Sequence, residues 1–399
     1  MNNMIEFICL LMFLNVENVT AQEQITVKNK LDRPVKDYIL EIPVEQLHLP
    51  FGNYHAVING ERVPVEISLG LCGKQTAILP VSNIPARSEL TITVEQGQAE
   101  NYPKRTHAEL SHKIGGQFEG NKYVGGFSWV GVNRITLPGA FHDHACYLKY
   151  EGPGWESDKT GFRFYLDNRN AIDVFGKRVK DIVLPCVGID GYDSYHEPAD
   201  WGMDNLKVAA SLGLGSIGIW NGEKVLRVEK RDSTTCTIVA DGKIRSQIKT
   251  DYYGWDVNGV KCNLVSLISI DAGSRASCMK LITDKPVDNI ATGIVKIKGV
   301  ERITGKQGEW SYIATFGKQS LNNDMQGLAV FVPTRMLNEI TEDALNHVLV
   351  LKPENNYVEY CFMPTWELDN EPVKTQAQFM QCIEEVLDRL NNNIEVNLK

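Results

Sequence analysis

Four two-residue turn signals restrict what this chain can fold into. They are Asn59-Gly60 in YHAVINGERVPVEI, Asn221-Gly222 in SIGIWNGEKVLRVEK, Asp241-Gly242 in TIVADGKIRSQI and Asn258-Gly259 in YYGWDVNGVKCNLVSLISI. Each sets two residues that tolerate positive φ between apolar, β-branched segments, the strongest short-range signature of an antiparallel hairpin. A helical period emerges only near the end. There Thr375-Gln376-Ala377-Gln378 has a capping-box pattern, and Ala377, Met380, Ile383, Val386, Leu387 and Leu390 recur at helical spacing. The expectation is an all-β protein with one C-terminal helix, which packs on the sheets and has no catalytic role.

The chain of 399 residues divides into three parts on this reading. Residues 1–21 read as a signal peptide, with an apolar run from Ile5 to Val16 too short to span a bilayer and Val19-Thr20-Ala21 before Gln22. A periplasmic or secreted product without a membrane anchor is therefore expected. Residues 22–100 hold QITVKNKL, VKDYILEIPV, VINGERVPVEISL, KQTAILPV and SELTITVEQ, short strands spaced as in a small immunoglobulin-like β-sandwich. Residues 101–399 form a larger strand-rich unit that carries the chemistry. Eight cysteines follow the signal segment, none in a CxxC pair. This argues against structural zinc and fits scattered thiols better than a disulfide framework, although an exported chain permits disulfides. A net charge of −9 without a Lys/Arg cluster disfavours nucleic acid as a partner.

The chemically densest stretch runs from Phe141 to Lys207. On an extended strand His142 and His144 of HDH would project from one face, where they could share a metal with His196 or Glu197, or act as base and partner at one substrate atom. The same pair fits two surface histidines in a loop. In GFRFYLD, Phe162, Phe164 and Leu166 alternate with Arg163, Tyr165 and Asp167, which puts Arg163 on a polar face. There it can hold a carboxylate, helped by Lys149 or Arg169, or pair with an aspartate in solvent. Tyr165, Tyr195 and His196 are candidate acids; Trp155 and Trp201 are candidate stacking walls for a sugar ring, with Glu197 beside them. The cofactor expectation is either none or a divalent metal on His142, His144 and His196. GxSxG, HExxH and P-loop signatures are absent.

At HDHACYLKYEGPGWESDKTGFRFYLDNRNAIDVFGK, followed by YHEPADWGMDNLKV, the chain resembles a bacterial family known as domain of unknown function 4861. The resemblance covers nearly the whole chain after the signal segment. It implies an exported protein of polysaccharide-utilisation systems, a β-supersandwich of galactose mutarotase type over residues 101–399, and dehydration of a terminal uronic acid. Such a β-elimination needs a base at C5, a cation on the carboxylate and an acid at the departing oxygen. His142 or His144 is expected as base, Arg163 on the carboxylate, and Tyr165, Tyr195 or His196 as acid. His144→Ala and Arg163→Ala are then expected to remove most activity and leave the fold intact. The partner is an acidic oligosaccharide. The alternatives are a non-catalytic glycan-binding protein, a mutarotase-like epimerase and a glycoside hydrolase.

Overall fold

The structure is a computed structural model, and it describes residues 22–398 except 51, 193, 258 and 392. The expected signal segment lies outside the described residues. Among the described residues strands dominate, with one α-helix at Gln376–Leu390. A small sandwich is built from two antiparallel sheets. Tyr54–Ile58 and Glu61–Pro64 turn through Asn59 and Gly60, whose φ values of 50° and 85° are what a two-residue hairpin requires. Gln22–Asn29 and Glu89–Gln96 complete one face, and Val35–Pro43, Glu66–Leu69 and Gln75–Ile84 make the other. Alternation places Ile25, Val27, Ile92 and Val94 against Leu40, Ile42, Leu79 and Val81 in one core. The edge strand of this sandwich, Ile394–Leu398, comes from the opposite end of the chain and pairs with Gln22–Asn29.

The larger unit is a nine-stranded sheet covered on one face by two five-stranded sheets. Ile248, Leu264, Ile268 and Met279 of the large sheet pack against Trp155, Phe162 and Val174 of one smaller sheet and Ile290, Ile294 and Leu349 of the other. The opposite face of the large sheet, through Ala314, Ala329 and Phe331, receives the helix. Thr375 caps that helix reciprocally with Gln378. Its buried face is Phe379, Ile383, Val386 and Leu387, with Met380 and Leu390 packed beside them, so the expected apolar stripe forms except that Ala377 is exposed and Phe379 takes its place.

Two of the cysteines depart from the expectation of scattered thiols. Cys278 and Cys361 stand directly opposite on neighbouring strands of the large sheet and form a disulfide. Their sequence separation of 83 hides a pairing that strand register makes immediate. Cys72 and Cys186 are exposed, and Cys236 and Cys262 are buried thiols.

The sheet that positions the site has the order Gly202–Asp204, Ile172–Lys177, Thr160–Phe164, Gly154–Ser157, Thr106–Glu109. Its inner face supplies Trp155, Phe162 and Val174 to the core. Its outer face is covered by the segment 178–201 instead of solvent. Buried Glu156 holds that segment by accepting from the amides of Val183 (2.9 Å) and Leu184 (2.7 Å) while it pairs with fully buried Lys177 at 2.5 Å. Tyr150, Phe175, Leu184 and Tyr195 close into a second small core there.

Candidate functional site

Under this cover lies a buried cluster of charge centred on Arg163. Its guanidinium donates to Asp173 Oδ2 from Nε (3.1 Å) and Nη2 (2.7 Å), and to Asp204 Oδ2 at 2.5 Å. It also reaches Glu151 Oε2 (3.3 Å) and the hydroxyls of Tyr195 and Tyr165, both at 3.0 Å. Tyr165 donates to Asp173. Strand register explains the assembly, because Arg163 is paired with Asp173 and Phe175 with Asp204 across adjacent strands. Arg163, Asp173 and Asp204 are each 3% exposed or less. Burial, and then the neighbouring Asp173, push the Asp204 carboxyl well above the usual carboxylate range. An acid buried beside another carboxylate gives up its proton reluctantly, and this is the setting of Asp204.

Two groups lead from this cluster toward solvent. His196, on the short 3₁₀ turn Ser194–His196, sets Nε2 at 3.4 Å from Asp204 Oδ2, with its side chain 41% exposed. Burial, and then the Arg163 charge, hold its pKa below the ordinary histidine value, so the ring is neutral at neutral pH. Arg169 stacks over Tyr165 at 3.9 Å from the ring centroid and pairs with Asp167 (2.5 Å) and Glu151 (2.7 Å). Its Nη1 has no hydrogen-bond partner among the described residues.

Several sequence expectations are corrected. His142 and His144 are not on a strand. They lie in an exposed turn where His144 takes φ 54° and its Nδ1 meets only the adjacent Asp143 at 3.2 Å, so no common face presents the two rings. Among the described residues no three His, Cys, Asp or Glu side chains gather to hold a metal, so His142, His144 and His196 do not form a ligand set. Arg163 faces no groove, since its donors are consumed by buried acids and tyrosines. Tyr165 and Tyr195 are buried in the same network. Trp155 is core, stacked on Phe162 at 5.3 Å and donating to Ser277 Oγ at 2.8 Å, and cannot be a sugar wall. The Lys149 ammonium is spent on Glu109 Oε1 (2.7 Å) and the carbonyls of Leu184 (2.8 Å) and Pro185 (3.1 Å). Trp201 is half-buried edge-on to Phe175, and Glu197 is exposed nearby.

Asp173, Asp204 and Glu151 carry the electrostatics, and sequence reasoning gave them no role. One signal was available: Asp173 interrupts the apolar AIDVFGK strand, and Asp204 ends GMD, where a lone acid must find a partner if the strand is buried. A second ionic group sits behind Lys149. His107 bridges Asp241 (2.9 Å) and Glu109 (3.2 Å); burial works against its charge, but these acids raise it to about 9.

A family model described as Domain of unknown function (DUF4861) matches residues 27–396. No curated protein matches the chain. Among solved structures, a protein in glycosyl hydrolase family 38 from Enterococcus faecalis superposes with a TM-score of 0.47 at 8% identity, covering 95% of this chain and 47% of its own. An alpha-mannosidase from Enterococcus faecalis V583 gives 0.46 at 7%, covering 95% and 46%. The chain thus spans just under half the length of these structures.

Proposed function

The chain belongs to the DUF4861 family, and from that premise we propose an exported enzyme that acts on uronic-acid-containing oligosaccharides by β-elimination, leaving an unsaturated uronic acid. The observation that carries the reading is the neutral, half-open imidazole of His196 backed by the Asp204–Asp173–Arg163 cluster. His196 takes the C5 proton, the C4–O bond breaks, and the C4–C5 double bond forms. The imidazolium so created, which its surroundings disfavour, then returns the proton to the departing oxygen. Arg169, with one amine unpartnered, faces the substrate carboxylate and offsets the charge that builds there. His196 therefore takes the role first expected of His142 or His144, and Arg169 that expected of Arg163.

The test is incubation with glucuronate- or iduronate-ended oligosaccharides while following the ultraviolet absorbance of the unsaturated uronate. His196→Gln should lower the rate by roughly 10²- to 10⁴-fold without a loss of thermal stability. Because the His196 pKa is lowered, activity should stay level through neutral pH and fall only on the acid side of the ordinary histidine range, as the ring becomes protonated. A wild-type rate in His196→Gln would sink the assignment, and new reducing ends without absorbance would replace elimination with hydrolysis.

A further inference from the structure

The strands Ser111–Glu119 and Lys122–Gly131 form a two-stranded hairpin that joins no larger sheet among the described residues. Its outer part exposes apolar groups that a free-standing ribbon would be expected to avoid. Phe127 is 82% exposed and Phe118 49%. Phe127 is nevertheless held in place. A Cβ on Gly115 would lie 2.0 Å from its Cε1 and 2.3 Å from its Cδ1, so the ring rests directly on the glycine backbone and turns its other side to water. Two residues further along the strand, past a break in register between Gly125 and Ser128, Trp129 is paired with Lys113, whose ammonium lies 5.1 Å from the indole centroid. Trp129 Nε1 donates to Ile189 O at 3.0 Å, which joins this row to the segment carrying His196. At the other side Tyr123 N donates to Ala145 O (2.7 Å) and Lys113 N to Tyr147 O (2.8 Å), beside the His142–His144 turn.

We propose that this hairpin is a subsite for the oligosaccharide beyond the reacting uronate: Phe127 and Trp129 stack on successive pyranose rings, and Lys113 meets an acid group of the chain. The inference rests on the proposed function and extends it, naming a substrate longer than a disaccharide. The chemistry fits the occupant, because a flat aromatic face open on one side covers the CH surface of a pyranose while the sugar hydroxyls stay in water. The ammonium over Trp129 gives the row a cationic character in a chain of net charge −9, which favours an anionic glycan over a neutral one. Continuity with the His196 segment supplies the direction in which the chain runs. Gly115 is the device that makes Phe127 a platform, since any larger residue would displace the ring.

Binding decides the proposal without turnover. Calorimetric affinities of a uronate-ended disaccharide and tetrasaccharide would be measured on His196→Gln with and without Phe127→Ala. The change should weaken the tetrasaccharide roughly 3- to 10-fold more than the disaccharide, and Phe127→Tyr should restore most of the difference. In the active protein the ratio of KM between Phe127→Ala and wild type should likewise grow with chain length. Equal loss for both lengths, or none, overturns the subsite. So does a Phe127→Ala protein that differs from wild type only by sedimenting as a smaller species, which would make the patch a contact between copies. If no uronate is eliminated yet the length-dependent loss is found, the subsite stands and the reaction assigned to His196 fails.

Discussion

Arg163 shows how far a single residue's surroundings can invert its meaning. In GFRFY its alternation with Phe162 and Phe164 places it on the polar side of a strand, and the structure agrees about the side. That side is covered by segment 178–201, so the guanidinium becomes the counter-charge of Asp173, Asp204 and Glu151. Removing one partner from a buried ionic group leaves the others uncompensated, at a cost of about 3 to 5 kcal/mol. Arg163→Ala should therefore lower the urea midpoint strongly, whereas the sequence alone implied lost activity with an intact fold. A variant that melts like wild type would show that the cluster is more hydrated than its burial indicates. The residue types of the site are legible, since histidine, arginine, tyrosine and acid all crowd residues 141–207. Their roles are not. The path of an irregular covering segment is fixed by contacts such as Glu156 to Val183 and Leu184, which leave no period in the sequence.

At the scale of elements the legible signals are those in which local chemistry dictates geometry. All four signals fall at antiparallel hairpins: Ile58 pairs with Glu61 and Val257 with Val260 across two residues, whereas Trp220 pairs with Val225 and Asp241 with Ser246 across four. The helix begins where Thr375 and Gln378 cap it. Short strands with a purely tertiary reason to exist are harder to read, and Gly202–Asp204 is the one that matters most. It contributes Asp204 and precedes Asn205, whose amide donates to Val174 O at 3.1 Å. Gly202 takes φ 138°, and a Cβ there would sit 1.8 Å from Gly176 O. Gly202→Ala must push this edge strand off its neighbour and withdraw Asp204 from Arg163 and His196. The expected outcome is a loss of several kcal/mol in unfolding free energy together with most of the activity. Normal turnover from a destabilised Gly202→Ala protein would show that Asp204 does not support His196.

Across the whole molecule the first and last described strands meet, a feature that no local pattern announces. Ile394–Leu398 pairs with Gln22–Asn29 through five residues of register, from Ile25 opposite Leu398 to Asn29 opposite Ile394. The helix just before it is bound to the small sandwich as well: Arg33 donates to Asp388 from Nε at 2.7 Å and from Nη2 at 2.6 Å. Because the same helix seals the outer face of the nine-stranded sheet, the sandwich, the helix and the large sheet share contacts that none can lose alone. Ending the chain after Asn393 removes Ile394, 7% exposed, and the half-buried Val396 and Leu398, a loss of about 2 to 4 kcal/mol in buried apolar surface. It also uncovers a full strand edge on Gln22–Asn29, which is then free to pair with another chain. The truncated protein should melt earlier than the full chain and form concentration-dependent oligomers in sedimentation. His196 belongs to a different sheet assembly, so its activity per folded molecule should survive. Unchanged melting, with no association, would mean that the terminal strand contributes little to holding the small sandwich in place.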